Sequence, residues 1–273
     1  MSDASGRDTS RPVPFLQGAR AAYALSFEGL LWSRRSLFVG LLLGFPALFA
    51  VLYRIARLAD VSTRTSGIDV YGMLVSHFFL ANALPLAALF YATALVAEEV
   101  EGRTLVYLVT RPVARAALLV GKFAAYLVTA STLSLPAAVL SFLLLVSTGG
   151  AARLGAAAPG LLRDLGVMAL ALLAYGALFA LLGVLLRRPL IPGLMFLYGW
   201  ELVVYLPGTL PRLTLTAWLR SLVPYRVPSE GLQELLATGF PTGESLLVLG
   251  GVTLLALTAA VGLFTTREYV MEQ

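Results

Sequence analysis

The sequence predicts an all-α polytopic membrane protein with six transmembrane helices, an N-terminal interfacial helix, and a re-entrant or surface-helical segment between spans five and six. Composition is the first reason. Of 273 residues 59% are hydrophobic and 13% charged, whereas a soluble domain carries roughly 25% charged residues; mean hydropathy is +0.85. The second reason is distribution. The apolar residues form long uncharged runs, and about 20 such residues cross a hydrocarbon core about 30 Å thick. The third is period. The runs are rich in Leu, Ala and Val with no two-residue alternation, which excludes a β-barrel.

Residues 1–13 are polar, with Asp3, Arg7, Asp8 and Arg11 and no short apolar core before a small-residue cleavage site. They read as a disordered tail rather than a cleavable signal peptide. Residues 14–273 form one transmembrane domain. Its first element, Phe15 to Ser33, places Leu16, Ala19, Tyr23, Phe27 and Leu30 on one helical stripe and leaves Arg20 and Glu28 for the wet side. It runs into Arg34-Arg35, as an interfacial helix does. Spans follow at about 36–53, 73–97, 118–147, 165–186, 190–206 and 245–265. The third closes at Gly149-Gly150, and the fifth is interrupted by Glu201. Pro46, Pro85 and Pro136 fall inside the first three spans and predict bends. Between spans five and six, Pro207, Pro211, Pro224, Pro228 and Pro241 break a stretch too apolar for an ordinary loop. Short re-entrant or surface-lying helices fit it, provided that protein buries their backbone.

The net charge of +5 does not point to nucleic acid. The basic residues lie scattered between apolar runs and form no stripe or arm. They read as topology signals and contacts to anionic membrane lipid. Six spans put both termini on one side. With the termini in the cytoplasm, twelve basic residues lie inside and eight outside, the inner set including Arg34, Arg35, Arg103, Arg111, Arg115, Lys122, Arg187 and Arg188. The bias places both ends in the cytoplasm. There is no cysteine, so disulfides, thiolate metal sites and catalytic thiols are excluded.

The most informative stretch joins spans two and three. It reads Glu98-Glu99-Val100-Glu101-Gly102-Arg103-Thr104-Leu105-Val106-Tyr107-Leu108-Val109-Thr110-Arg111-Pro112-Val113-Ala114-Arg115, then Gly121-Lys122. Three carboxylates at the C-terminal end of a helix oppose its dipole, but at the start of a new helix they are favoured. A break between Ala97 and Gly102 and a short helix ending at Arg111-Pro112 follow. On that helix Leu105, Leu108 and Val109 share a face. Such a helix suits docking on a partner; a solvated loop whose charges only prevent translocation is the plain alternative.

This pattern of acidic residues, Gly-Arg-Thr-Leu, a Leu three residues on, Arg-Pro-Val, a further Arg and Gly-Lys resembles the type-2 ABC transporter permease family. The close match is confined to this loop; elsewhere the likeness is one of layout. The resemblance implies a coupling helix that meets a separate ATP-binding subunit. Its matching residues are Glu98, Glu99, Glu101, Arg103, Thr104, Leu105, Leu108, Arg111, Pro112 and Arg115. It implies the membrane subunit of an ATP-driven exporter in a bacterial inner membrane, paired with a second permease copy or close paralogue. ATP and magnesium would sit on the partner ATPase, with no cofactor on this chain. No phosphate-binding Gly-x-x-x-x-Gly-Lys-Ser/Thr occurs, since Gly121-Lys122 is followed by Phe123. A non-transporting scaffold or regulatory subunit with the permease shape is the alternative function.

Glu201 is the other candidate. An ionised carboxylate near the bilayer centre costs about 3 kcal/mol on insertion scales, and helical spacing puts Tyr198 and Tyr205 on its face. The three would line a translocation path or outer gate. Alternatively, Glu201 hydrogen-bonds near the outer interface and shapes the turn before Pro207. Arg187-Arg188-Pro189 reads as an inner turn, either a topology anchor or a second ATPase contact. His77, the only histidine, has no ligand set in the sequence and reads as structural. With one glutamate and one peripheral histidine in the spans, an intramembrane enzyme is excluded.

Overall fold

The computed structural model describes residues 14–59, 65–95, 114–147, 150–205, 210–225 and 240–266, and every regular element among them is helical. Helix α1 is Phe15–Leu31 and α2 is Arg34–Leu58. Helix α3, Gly67–Ala92, carries a π-helical stretch at Leu74–Ala83. Helices α4 and α5 are Arg115–Val146 and Ala151–Leu185. Helix α6, Leu190–Met195, continues as a π turn over Phe196–Trp200 and a 3-10 segment over Glu201–Tyr205. A second 3-10 turn, Leu210–Leu213, precedes α7, Leu215–Ser221; α8 is Thr242–Thr266.

Five of these helices, α2, α3, α4, α5 and α8, are long and apolar enough to cross a membrane. They correspond to predicted spans one, two, three, four and six. The fifth predicted span differs. The apolar helix there reaches only from Leu190 to Val203 and does not keep one helical register. The helices also overrun the uncharged windows used to predict them. Helix α5 begins at Ala151, well before residue 165, and so includes Arg153, Pro159, Arg163 and Asp164. Apolar length reports hydrocarbon thickness, and a helix does not have to end where the hydrocarbon does. Gly150, at the N-cap of α5, has φ +87°, a left-handed conformation that glycine adopts without a Cβ penalty.

Helix packing relies on close approach at small residues, as expected where lipid supplies no hydrophobic force between helices. Helix α1 lies along α4. A Cβ on Gly121 would overlap the Ala19 carbonyl and stand 2.9 Å from the Ala22 Cβ. The buried face of α1 is therefore Gly18 and Ala22, with Ala19, Tyr23, Phe27 and Leu30 half-buried, while Leu16 is exposed. The predicted stripe holds except at Leu16. Arg20 and Glu28 are exposed as expected.

Helices α4 and α5 meet where Gly176 receives the ring of Tyr126, whose hydroxyl donates to the Leu172 carbonyl at 2.7 Å. Helix α5 meets α3 where Gly183 lies against the Thr93 backbone. The core fills with Phe79, Leu80, Leu84, Leu89, Tyr91, Phe142, Leu145, Tyr175 and Phe179.

The elbow between α1 and α2 is built from two serines. The Ser33 hydroxyl accepts the Ser36 amide at 3.2 Å and donates to the Leu30 carbonyl at 2.8 Å. The Ser36 hydroxyl bonds that same carbonyl and the Tyr91 hydroxyl, the latter at 2.7 Å. The elbow is thereby fastened to the end of α3.

The π stretch of α3 has visible local causes. Pro85 opens the α-helical turn that follows it and has no N–H to donate. Two carbonyls within the stretch are taken up by side chains. Ser76 receives Arg220 Nε at 3.2 Å and His77 receives Asn82 Nδ2 at 2.7 Å. Pro85 thus accompanies a change of helical register, where a simple bend was expected.

The packing yields a sign test. Gly155 has nothing within 4 Å of its Cβ position, so Gly155→Ala should hold or raise the thermal midpoint in detergent, as alanine generally does in a helix. Gly121→Ala should lower stability by about 1–3 kcal/mol through overpacking. Equal responses from the two would mean that α1 is not seated on α4.

Candidate functional site

Two ends of the bundle can be told apart by contacts alone. At one end lie the start of α2 with Arg34 and Arg35, the end of α3, the start of α4 and α1. At the other lie Arg54, Arg57, the start of α3 and the start of α5. At the first end Lys122, the chain's single lysine, donates from Nζ to the Leu95 carbonyl at 3.1 Å. Leu95 is the last described residue before the motif and α4 begins with Arg115, the motif's last residue. Lys122 therefore ties together the two segments of chain that enter and leave the motif, directly beside the Gly121 seat of α1. Of the predicted coupling residues, Arg115 is the first residue of α4. Glu98, Glu99, Glu101, Arg103, Thr104, Leu105, Leu108, Arg111 and Pro112 lie outside the described residues.

Glu201 is 5% exposed and turned into the protein. Its Oε1 accepts the Leu215 amide and its Oε2 the Thr216 amide, both at 3.1 Å. The carboxylate thus occupies the N-terminus of α7, where free N–H groups and the helix dipole favour a negative charge. Thr214, the N-cap, accepts the Ala217 amide through its hydroxyl at 3.3 Å. Thr216 shares a 2.9 Å hydrogen bond with Tyr175 of α5. Trp200 and Trp218 donate to the Leu213 and Arg212 carbonyls at 3.1 and 2.7 Å. This constellation closes the break between the two 3-10 turns and α7.

Tyr198 and Glu201 do not share the predicted face. The spacing argument assumed a continuous α-helix, but the chain passes from π to 3-10 register between Trp200 and Glu201. Tyr198 is 48% exposed on the outside of the bundle while Glu201 is buried. Tyr205 ends the 3-10 segment. Helix α7 lies in the stretch for which short re-entrant or surface-lying helices were expected, provided that protein buries their backbone. Leu215, Trp218 and Leu219 are buried, so this helix sits within the protein.

At the far end of α7, Tyr225 fills the notch left by Gly72 of α3 and donates to Asp164 Oδ2 of α5 at 2.7 Å. Ser221 and Ser245 share a 2.8 Å hydrogen bond that joins α7 to α8. Asp164 Oδ1 and the neighbouring Tyr71 hydroxyl are buried without a hydrogen-bond partner. Asp164 and Tyr225 were not singled out from sequence. The available signal was an acid at the very edge of the fourth apolar run, which reads equally well as a boundary. His77 has no ligand set, and no cluster of three metal-binding side chains occurs among the described residues.

The ABC-2 family transporter protein profile matches residues 34–269, which takes in α2 to α8 and the whole Glu98–Arg115 motif. The chain belongs to the ABC-2 transporter family. Among curated proteins no relative matches it. As an ABC-2 permease it is a multi-pass membrane subunit of an ABC transporter system, a system that generally includes an ATP-binding subunit. The ABC-2 match extends through α8 but leaves out the whole of α1, whose place in the permease rests on the Gly121 contact.

The role of Glu201 is open to a direct test. Removing a buried acceptor of two amide bonds strands both donors, so Glu201→Ala should cost about 3 kcal/mol. Glu201→Gln, which keeps one good acceptor, should cost less. Thermal unfolding in detergent compares them; a Glu201→Ala permease as stable as wild type would mean that Glu201 does not hold α7.

Proposed function

We propose that this permease is the transmembrane subunit of an ATP-driven exporter, driven through the segment Glu98–Arg115 by a separate ATP-binding subunit. The observation that carries the reading is the convergence at one end of the bundle. The motif leaves α3 at Leu95 and enters α4 at Arg115, and the Lys122 bond and the Gly121 seat gather α3, α4 and α1 there. A push on that segment would reach α4 directly, α1 through Gly121, and α2 through the Ser36–Tyr91 contact. No covalent chemistry is required of this chain; ATP and magnesium belong to the partner.

The same reading treats α6 and α7 as two halves of a sixth, discontinuous crossing. Helix α6 starts at the end marked by Arg187 and Arg188 and stops about 20 Å on. Helix α7 starts against Tyr175, well inside α5, and leads to Tyr225 and Asp164 near the opposite end. Six crossings return both termini to one side, the cytoplasmic side by arginine bias. Two such subunits, identical or closely related, would enclose the path between them, within the lipid of a bacterial inner membrane.

Two experiments test the proposal. Leu105→Ala with Leu108→Ala should reduce co-purification of the ATP-binding subunit or uncouple its turnover from transport, because truncating a packed leucine costs a few kcal/mol. Insertion should be normal, since no span is touched. Full binding together with full transport would remove this segment from the coupling role. Because the chain has no cysteine, single introduced thiols report sidedness. Cysteines at Ser5 and Thr110 should resist impermeant reagents in intact cells and one at Ser62 should react; labelling at Thr110 would reverse the orientation.

A further inference from the structure

A cavity of about 310 Å³ opens between the start of α3, the end of α4 and the start of α5. Its walls are mostly apolar, with Ile68, Leu145, Val146 and Ala157 beside Ser66, and Arg153 is the one charged residue that lines it. Leu145 and Val146 are buried, whereas Arg153 is exposed. The other described arginines at this end from α2 are engaged. Arg54 donates to the Ser147 hydroxyl at 2.9 Å, and Arg57 donates to the Tyr53 hydroxyl and to the Thr65 carbonyl at 2.9 Å. Asp69, the nearest acid on α3, is occupied by Ser66 in a capping box. Arg153 therefore has an apolar chamber beside it and no carboxylate assigned to it among the described residues.

The geometry points to a binding site for an anionic phospholipid, with the headgroup phosphate on Arg153 and the first acyl methylenes against Ile68, Leu145, Val146 and Ala157. Two features select this occupant. A guanidinium matches a phosphate with paired hydrogen bonds, while the rest of the lining is apolar apart from Ser66, whose hydroxyl is already engaged with Asp69. The place also fits, since the cavity lies beside the Arg54–Ser147 contact at the ends of three helices long and apolar enough to cross a membrane, and lipid headgroups gather at the ends of spans. Its volume is at the lower end for ligand sites, enough for a glycerol-phosphate region but not for a whole lipid, whose tails would run along the outside of the bundle. The site involves none of the residues assigned to coupling, and its existence does not depend on the direction of transport.

The test uses the full chain in a neutral detergent. Thermal midpoints are measured with added phosphatidylglycerol, phosphatidylcholine, or glycerol phosphate as the free anion. Phosphatidylglycerol should raise the wild-type midpoint by roughly 2–4 °C more than phosphatidylcholine does, and glycerol phosphate should do nothing. Arg153→Gln should abolish the difference and Arg153→Lys should keep part of it. Both substitutions are at an exposed position and leave folding intact. Ala157→Leu, which fills the cavity, should abolish it as well; if that variant folds poorly, the Arg153 pair decides. Equal shifts from the two lipids in wild type, or an undiminished response in Arg153→Gln, would overturn the site. A glycerol phosphate shift equal to that of phosphatidylglycerol would replace the lipid with a small anion.

Discussion

Lipid tails are as apolar as leucine, so burial of apolar side chains cannot by itself hold two helices together inside a bilayer. What remains is contact at close range, and in this permease that contact is made where a glycine on one helix admits the backbone or ring of another. Gly121 admits α1, Gly176 admits Tyr126, Gly183 admits the end of α3, and Gly72 admits Tyr225. Everything else in the fold is referred to these seats. Helix α4 takes part in two of them, receiving α1 at Gly121 and placing Tyr126 against Gly176 of α5, and it begins at the last residue of the Glu98–Arg115 motif.

The second constraint is that every backbone polar group at depth has to be satisfied by protein. It explains why the irregular segments are the most heavily hydrogen-bonded places in the structure. The π stretch of α3 hands its loosened carbonyls to Arg220 and Asn82, and the break before α7 is closed by Glu201, Thr214 and two tryptophans. Arg220 belongs to α7 and Ser76 to α3, so the two irregular regions brace each other. Glu201, read from sequence as a candidate for the transport path or for a hydrogen-bonded turn, accepts the first two amides of α7.

The long spans were legible because their signal is physical length, and the hydrocarbon thickness sets that directly. Helix limits were not legible, because an arginine beyond the hydrocarbon does not end a helix; Arg153 and Arg163 both lie inside α5. The Tyr198–Glu201 face failed for a different reason. Counting in steps of three and four presumes one helical period, and the period changes within that very segment. Glu201 was picked out correctly as unusual, but its partners, Leu215 and Thr216, follow a chain reversal that periodicity cannot reveal. Asp164 and Tyr225 are 61 residues apart, and neither carries a local mark of the other. Lys122 stood out only by being the one lysine, which says nothing about the Leu95 carbonyl that it reaches. The Glu98–Arg115 segment was legible as a motif, and the family that it resembles is shown, while its residues other than Arg115 lie outside the described residues.

The π stretch of α3 has a bearing on how this sequence can vary. Each residue added to or removed from an α-helix turns everything beyond it by about 100°. Here Tyr71 and Gly72, which receive Tyr225, stand before the π stretch, while Tyr91 and Thr93, which receive Ser36 and Gly183, stand after it. The two sets of seats are in phase only because the intervening turns are wide. A single-residue deletion between Leu74 and Ala83 would restore an ordinary helix and turn one set of seats away from its partners. Loops in most proteins absorb insertions and deletions; in this helix the residue count is itself part of the structure, as register is in a β-sheet.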